Sequence, residues 1–143
     1  MLTVPDAQAC VLEVARPLAP ERLPLGVPVL GMVLAEDVAA DLDSPPYDKA
    51  LMDGYALRCA DLAGGQATLR VIEEITAGHP PTRELGPGEA ARIMTGAAIP
   101  AGADAVVMVE RTQETGDGRV RIEDARLRPE ANILRRGREM RRG

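Results

Sequence analysis

ATLRVIEEIT, residues 67–76, places Leu69, Val71, Ile72 and Ile75 in a ten-residue run free of Gly and Pro, and this composition reads as a strand. Three more runs of the same texture follow: AARIMT at 90–95, AVVMVER at 105–111 and RVRI at 119–122. Turn residues separate them, namely Gly64-Gly65 before the first, Gly78 with Pro80-Pro81, Gly86 to Gly88, Pro100 to Gly102 and Gly116 to Gly118. TGDG at 115–118 suits a hairpin reversal, because its glycines accept the positive φ of tight turns. From Tyr55 onward, four or five short strands at this spacing predict a small barrel or sandwich.

Toward the N-terminus the pattern changes. Thr3 followed by Asp6 is a capping signal, and residues 7–15, rich in Ala, Leu and Val, predict a short helix stopped at Pro17. A loop with Pro17, Pro20, Pro24, Gly26 and Pro28 comes next. VLGMVLAEDVAA at 29–40 then predicts a helical turn around Leu30 to Val33 leading into an extended segment. The fold class expected is therefore α+β and mostly β.

Composition narrows the function. The 143 residues hold 17 Lys and Arg against 22 Asp and Glu, a formal net charge of −5. Hydrophobic residues make up 45%, enough for a packed core. Two tyrosines are the only aromatic residues, so stacking platforms for single-stranded nucleic acid are lacking, and the acidic balance disfavours a duplex-binding face. No run approaches a membrane span and MLTVPDAQAC is no signal peptide, so the expected location is the cytoplasm, with no nucleic-acid or membrane partner. Cys10 and Cys59 form no C-x-x-C arrangement, and the single histidine, His79, supports neither a triad nor a multi-His metal site. Arg135, Arg136, Arg138, Arg141 and Arg142 make a basic run at the C-terminal end, more often a solvated surface or linker than a contact for nucleic acid or an acidic partner. The run ends without an obvious cap, as in a chain cut short.

Two segments could carry chemistry. In SPPYDKALMDGYAL, residues 44–57, Asp48 and Asp53 stand five positions apart beside Gly54. They could hold a hard divalent cation such as magnesium, or act as turn formers bonding nearby amides. In RIMTGAAIPAGADAVVMVE, residues 92–110, Thr95-Gly96-Ala97 ends a strand in small residues. It could form an anion-binding nest of successive amides or a packing corner; it is not a Walker loop.

Taken together, three ordered stretches resemble the N-terminal part of the molybdopterin molybdotransferase family, that of MoeA and the gephyrin E-domain: residues 34–57, residues 92–110, and ANILRRGREMRRG at 131–143. Gly78 in ITAGHP fits the family's Ala-Gly. The resemblance implies a small β-barrel-like lid domain at 47–127, inserted in an elongated region with one or two short helices built from 1–46 and the return segment 128–143. The pterin-binding α/β domain and the C-terminal β domain would be absent, leaving roughly the first third of a full member.

It also implies an activity, the insertion of molybdate into adenylylated molybdopterin with release of AMP and the help of a divalent cation, Mg2+. Homodimers and a small-molecule pterin substrate come with it. Met52-Asp53-Gly54-Tyr55 matches the family's Met-Asp-Gly-Tyr, and Thr95-Gly96-Ala97 its Thr-Gly-Ala. Asp53 would position metal or water and act catalytically with Thr95, while Thr95, Gly96 and Ala97 would bind substrate oxyanions. Glu139 matches the acidic position of the family's Gly-Glu-Asp-Ile and joins the substrate-binding set. Two departures stand out: Ala50-Leu51 replaces Ser-Ala, removing a hydroxyl, and Arg138 inverts a charge beside Glu139. The isolated chain would then be inactive without its catalytic domain; a non-catalytic binding or dimerisation module, or a remnant, is the alternative.

Overall fold

The computed structural model describes residues 2–143. The chain divides into two units, Met1–Val38 and Ala39–Gly143. In the first, helix α1 spans Val4–Val14 and opens with a complete capping box, in which the Thr3 side chain accepts from the Asp6 N–H and Asp6 accepts from the Thr3 N–H. The helix begins three residues earlier than its apolar run suggested, because Pro5 fits the first turn, where no N–H is needed. No α1 residue is buried, and with Leu18 93% and Leu25 97% exposed the segment builds no core of its own. The turn expected around Leu30 to Val33 lies earlier, as a 3-10 turn at Val27–Val29, where Pro28 presets the backbone.

The second unit is almost wholly β. Its strands are β1 (Lys49–Ala50), β2 (Gly54–Leu57), β3 (Gln66–Ile75), β4 (Glu89–Ile93), β5 (Ala105–Met108), β6 (Thr112–Glu114), β7 (Arg119–Glu123) and β8 (Ile133–Leu134). Six pair in the order β5-β2-β4-β3-β7-β6, and β1 pairs with β8. All pairs are antiparallel except β3 with β4. The predicted TGDG reversal joins β6 to β7, with Gly116 and Gly118 both at positive φ.

The sheet has to curl. Its edge strands β5 and β6 would lie about 24 Å apart in a flat six-stranded sheet. Yet only the 3-10 turn Val109–Arg111 separates them, and so few residues reach at most about 14 Å. A hydrogen bond of 2.7 Å from the Tyr55 hydroxyl on β2 to Glu114 on β6 shows the closure directly.

Alternation along the strands sorts side chains onto two faces. Tyr55, Leu57, Leu69, Ala90, Ala105, Val107, Val120 and Ile122 pack within the curl, while Ala56, Ala91, Ile93 and Val106 pack on its other side with Leu85 and Ile133. A register shift between Val71 and Glu73 lets β3 serve both, giving Leu69 to the first cluster and Ile75 to the second. The mostly β architecture expected is thus the one found, in the form of a curled, half-closed barrel.

Candidate active-site face around Asp53 and Thr95

β2 and β4 run antiparallel with Gly54 opposite Ile93. The residues just before β2 and just after β4 must therefore meet at the same end of the sheet. Asp53 and Thr95, 42 positions apart, do so: Asp53 Oδ1 accepts the Thr95 N–H at 2.7 Å and the Thr95 hydroxyl at 2.6 Å. The Asp53 carbonyl takes the Val109 N–H, which ties the same corner to β5. Among the described residues only Oδ1 of the carboxylate is engaged, and Asp53 and Thr95 are both exposed.

Gly54 makes this corner possible in a way its neighbours do not reveal. A Cβ there would lie 1.8 Å from the carbonyl oxygen of Val107, so only glycine lets β5 come this close.

The electrostatics follow from the bonds. The Thr95 hydroxyl first, and its N–H second, hold the Asp53 carboxyl below the usual carboxylate range, and Arg92 adds a smaller pull. A shallow pocket of about 110 Å³ opens beside the pair, lined by Asp53, Gly54, Tyr55, Arg92, Met94 and Val109. Arg92 pairs with Glu114 at 2.5 Å and with Glu74 at 3.8 Å. Neither Arg92 nor Met94 is marked as functional by its motif; the signal for them is that both stand within three residues of Thr95.

The remaining expected site residues lie as follows. The Gly96 N–H donates to Ala50 O at 2.8 Å and the Ala97 N–H to Met94 O at 3.0 Å, while Ala97 itself is fully buried. The amides of Thr95, Gly96 and Ala97 are thus all engaged within the fold, and the loop's backbone acts as a ladder partner of β1. Glu139 sits elsewhere: its carboxylate accepts from the Ser44 hydroxyl at 2.9 Å and its N–H donates to Ser44 O, with no bond to Asp53 or Thr95 among the described residues.

Asp48 does not join Asp53. Its carboxylate accepts the Arg136 N–H at 2.8 Å and pairs with Arg135. Burial works against its ionisation, but these donors outweigh it and hold its carboxyl low. Among the described residues no three His, Cys, Asp or Glu side chains converge as a metal cluster. The donor set at Asp53, one carboxylate with an open oxygen, fits magnesium in its common mode, where one or two carboxylates act with water and substrate phosphate.

Fold and site together define a class: a small curled β domain that carries an exposed carboxylate–threonine pair beside a shallow pocket. Comparison with known proteins identifies which. Residues 2–143 match the model of the MoeA N-terminal region (domain I and II), and the chain belongs to that family. It is 47% identical over 88 residues to a molybdopterin molybdenumtransferase of Nostoc sp., covering 59% of this chain and 20% of that protein. The Bacillus subtilis molybdopterin molybdenumtransferase is 50% identical over 84 residues, covering 56% and 20%. Two crystal structures of the molybdopterin biosynthesis MoeA protein from Pyrococcus horikoshii superpose with TM-scores of 0.70 and 0.73 at 37% and 36% identity. They cover 76% and 80% of this chain and 28% and 31% of theirs. The chain thus spans about a fifth of the curated relatives' length. No helix among the described residues is long and apolar enough to cross a membrane.

Proposed function

We propose that this chain supplies the lid portion of a molybdopterin molybdenumtransferase acting in molybdenum cofactor biosynthesis. The complete enzyme would insert molybdate into adenylylated molybdopterin and release AMP. In this reading 47–127 is the lid, 1–46 and 128–143 belong to an elongated domain, and the working form is a cytoplasmic homodimer. The uncovered apolar side chains of the N-terminal unit support packing against another chain. The observation that carries the proposal is the family match over residues 2–143, together with Asp53 held ionised and outward by Thr95.

The residues would work as follows. Asp53 stays a carboxylate because Thr95 donates twice to one of its oxygens, and its other oxygen faces outward to orient water or a substrate donor. Asp53 would also hold Mg2+, which when bound supplies positive charge against the substrate's phosphate and molybdate oxygens. A threonine hydroxyl rotates freely, so Thr95 can turn its proton to an incoming oxyanion while its N–H keeps Asp53 in place. Gly96 and Ala97, bonded to Ala50 and Met94, fix the loop on which the oxyanion would rest. Glu139, held by Ser44 apart from this pair, would accept from a donor group of the substrate rather than meet its oxyanions. Such fixed dipoles and charges are what phosphoryl and oxyanion chemistry rewards.

The test is molybdate-dependent AMP release from adenylylated molybdopterin. The chain alone should be inactive, because most of the surface that holds the reactants is missing. Mixed with a family catalytic domain lacking its own lid, it should restore release, and Asp53→Asn should abolish that gain. A folded sample that restores nothing refutes the lid reading.

A further inference from the structure

We infer that Arg135 is a positioning residue for the Asp53–Thr95 pair, acting through strand β1. Three observations carry this. First, Arg135 follows β8 and Asp48 precedes β1, and the register Lys49 opposite Leu134 makes Asp48 and Arg135 the next facing pair. Second, every nitrogen of the Arg135 guanidinium is engaged: Nη1 pairs with Asp48, and Nε and Nη2 form a fork on the Glu130 carboxylate. Isolated surface ion pairs contribute little, but bidentate, networked arginines are the exception. Third, β1 has the site loop as its other neighbour. Ala50 donates its N–H to Ala97 O and accepts the Gly96 N–H, and the Asp48 carbonyl accepts the Ile99 N–H at 3.0 Å.

β1 is therefore the middle strand of three, with β8 on one side and residues 96–99 on the other. Two residues long, it has little pairing of its own to hold its register. The clasp at Asp48 supplies what the short ladder lacks. Loosening it would let β1 shift, and Gly96, bonded to β1 and peptide-linked to Thr95, would shift with it. Asp53, three residues beyond Ala50, is moved from both sides. The functional meaning of this coupling rests on the reading of Asp53 and Thr95 as the chemical pair, but the coupling can be measured without any turnover.

The experiment compares wild type with Arg135→Gln by amide hydrogen exchange and by carbon-13 titration of the Asp53 carboxyl. In Arg135→Gln, exchange at Thr95 and Gly96 should accelerate by about tenfold, a local opening. The Asp53 midpoint should move up toward the ordinary aspartate range, while exchange at Val120 and Ile122 stays unchanged. Arg135→Lys, which keeps a cation on a similar stem, should recover part of the protection. Should Arg135→Gln not fold, Arg135→Lys alone is read in the same way against wild type. Thr95 and Gly96 exchange equal to wild type, or raised only in step with Val120 and Ile122, overturns the inference. A positive coupling with no AMP release in the reconstitution would instead refute the functional reading and leave the positioning role standing.

Discussion

Replacing Gly54 by alanine should unfasten β5 from β2. The added Cβ would sit 1.8 Å from Val107 O and 2.9 Å from Val107 C, both backbone atoms that no rotamer change can move aside. An ordinary carbon–oxygen contact is about 3.3 Å, so β5 must retreat by about 1.5 Å. Ladder bonds near 2.9 Å would then stretch to about 4.4 Å, beyond hydrogen-bonding range. Four facing pairs join these strands, and losing the two bonds nearest Gly54 while straining the Tyr55 and Val107 packing should cost about 3 kcal/mol. For a unit of this size that lowers the melting temperature by about 10–25 °C. Gly86→Ala is the matched control, since Gly86 has no positive φ and its nearest neighbour is the end of the flexible Glu89 side chain at 3.3 Å. Its effect should stay within about 0.5 kcal/mol. Urea melts of the two variants decide the matter: a Gly54→Ala cost equal to that of Gly86→Ala would refute the close approach of β5 to β2.

Two further outcomes follow from the ionisable groups. Burial, reinforced by the Asp104 carboxylate, pushes the Cys59 thiol up to about 12, whereas Cys10 is exposed on α1. A thiol reagent at pH 8 should therefore label one cysteine per native chain and both after unfolding; rapid native labelling of Cys59 would contradict its placement. The Asp53 carboxyl is lower in the folded chain than in the unfolded one, so its contribution is present above the unfolded value and is lost as pH falls through the folded one. Asp43, Asp48, Glu73, Glu89 and Glu130 are shifted in the same direction. Thermal midpoints should hold between pH 7 and 5 and decline below about pH 4, with a smaller decline in Thr95→Val, which lacks the hydroxyl donor.

Four β runs were legible because each sets branched apolar residues between turns that hold glycine or proline, and β3, β4, β5 and β7 fall on those runs, although the last three residues of the 105–111 run, Val109–Arg111, form a 3-10 turn instead of strand. β1, β6 and β8 were not, since strands of two or three residues have no periodicity to read and exist only through their partners. The parallel pairing of β3 with β4 was equally hidden, being a property of the connection through buried Leu85 rather than of either strand. For the site, the sequence offered Asp53 and Thr95 as candidates in separate motifs, but their contact depends on the register of β2 on β4. Whether Thr95-Gly96-Ala97 makes an amide nest or a packing corner stayed open in the sequence for the same reason: without knowing that Ala50 would accept the Gly96 N–H, nothing in Thr-Gly-Ala distinguishes free amides from paired ones.

The C-terminal arginines show the same limit from the side of charge. Read along the chain, Arg135 to Arg142 is a basic run, either a solvated surface or a contact for a partner. In the fold much of that partner is the chain itself, about ninety residues earlier: Asp48 takes Arg135, and Asp43 takes the Arg136 side chain at 2.6 Å and the Arg142 N–H at 3.0 Å. Linear charge density overstates the free cation, because an antiparallel ribbon sets the acidic entry strand against the basic exit strand and pairs Arg135 and Arg136, while among the described residues the side chains of Arg138, Arg141 and Arg142 form no ion pair. The acidic residues upstream were visible all along; what was missing was the register that makes them partners. That register also places Arg135 over β1, so the charge that looked like a solvated tail becomes part of the support under Asp53 and Thr95.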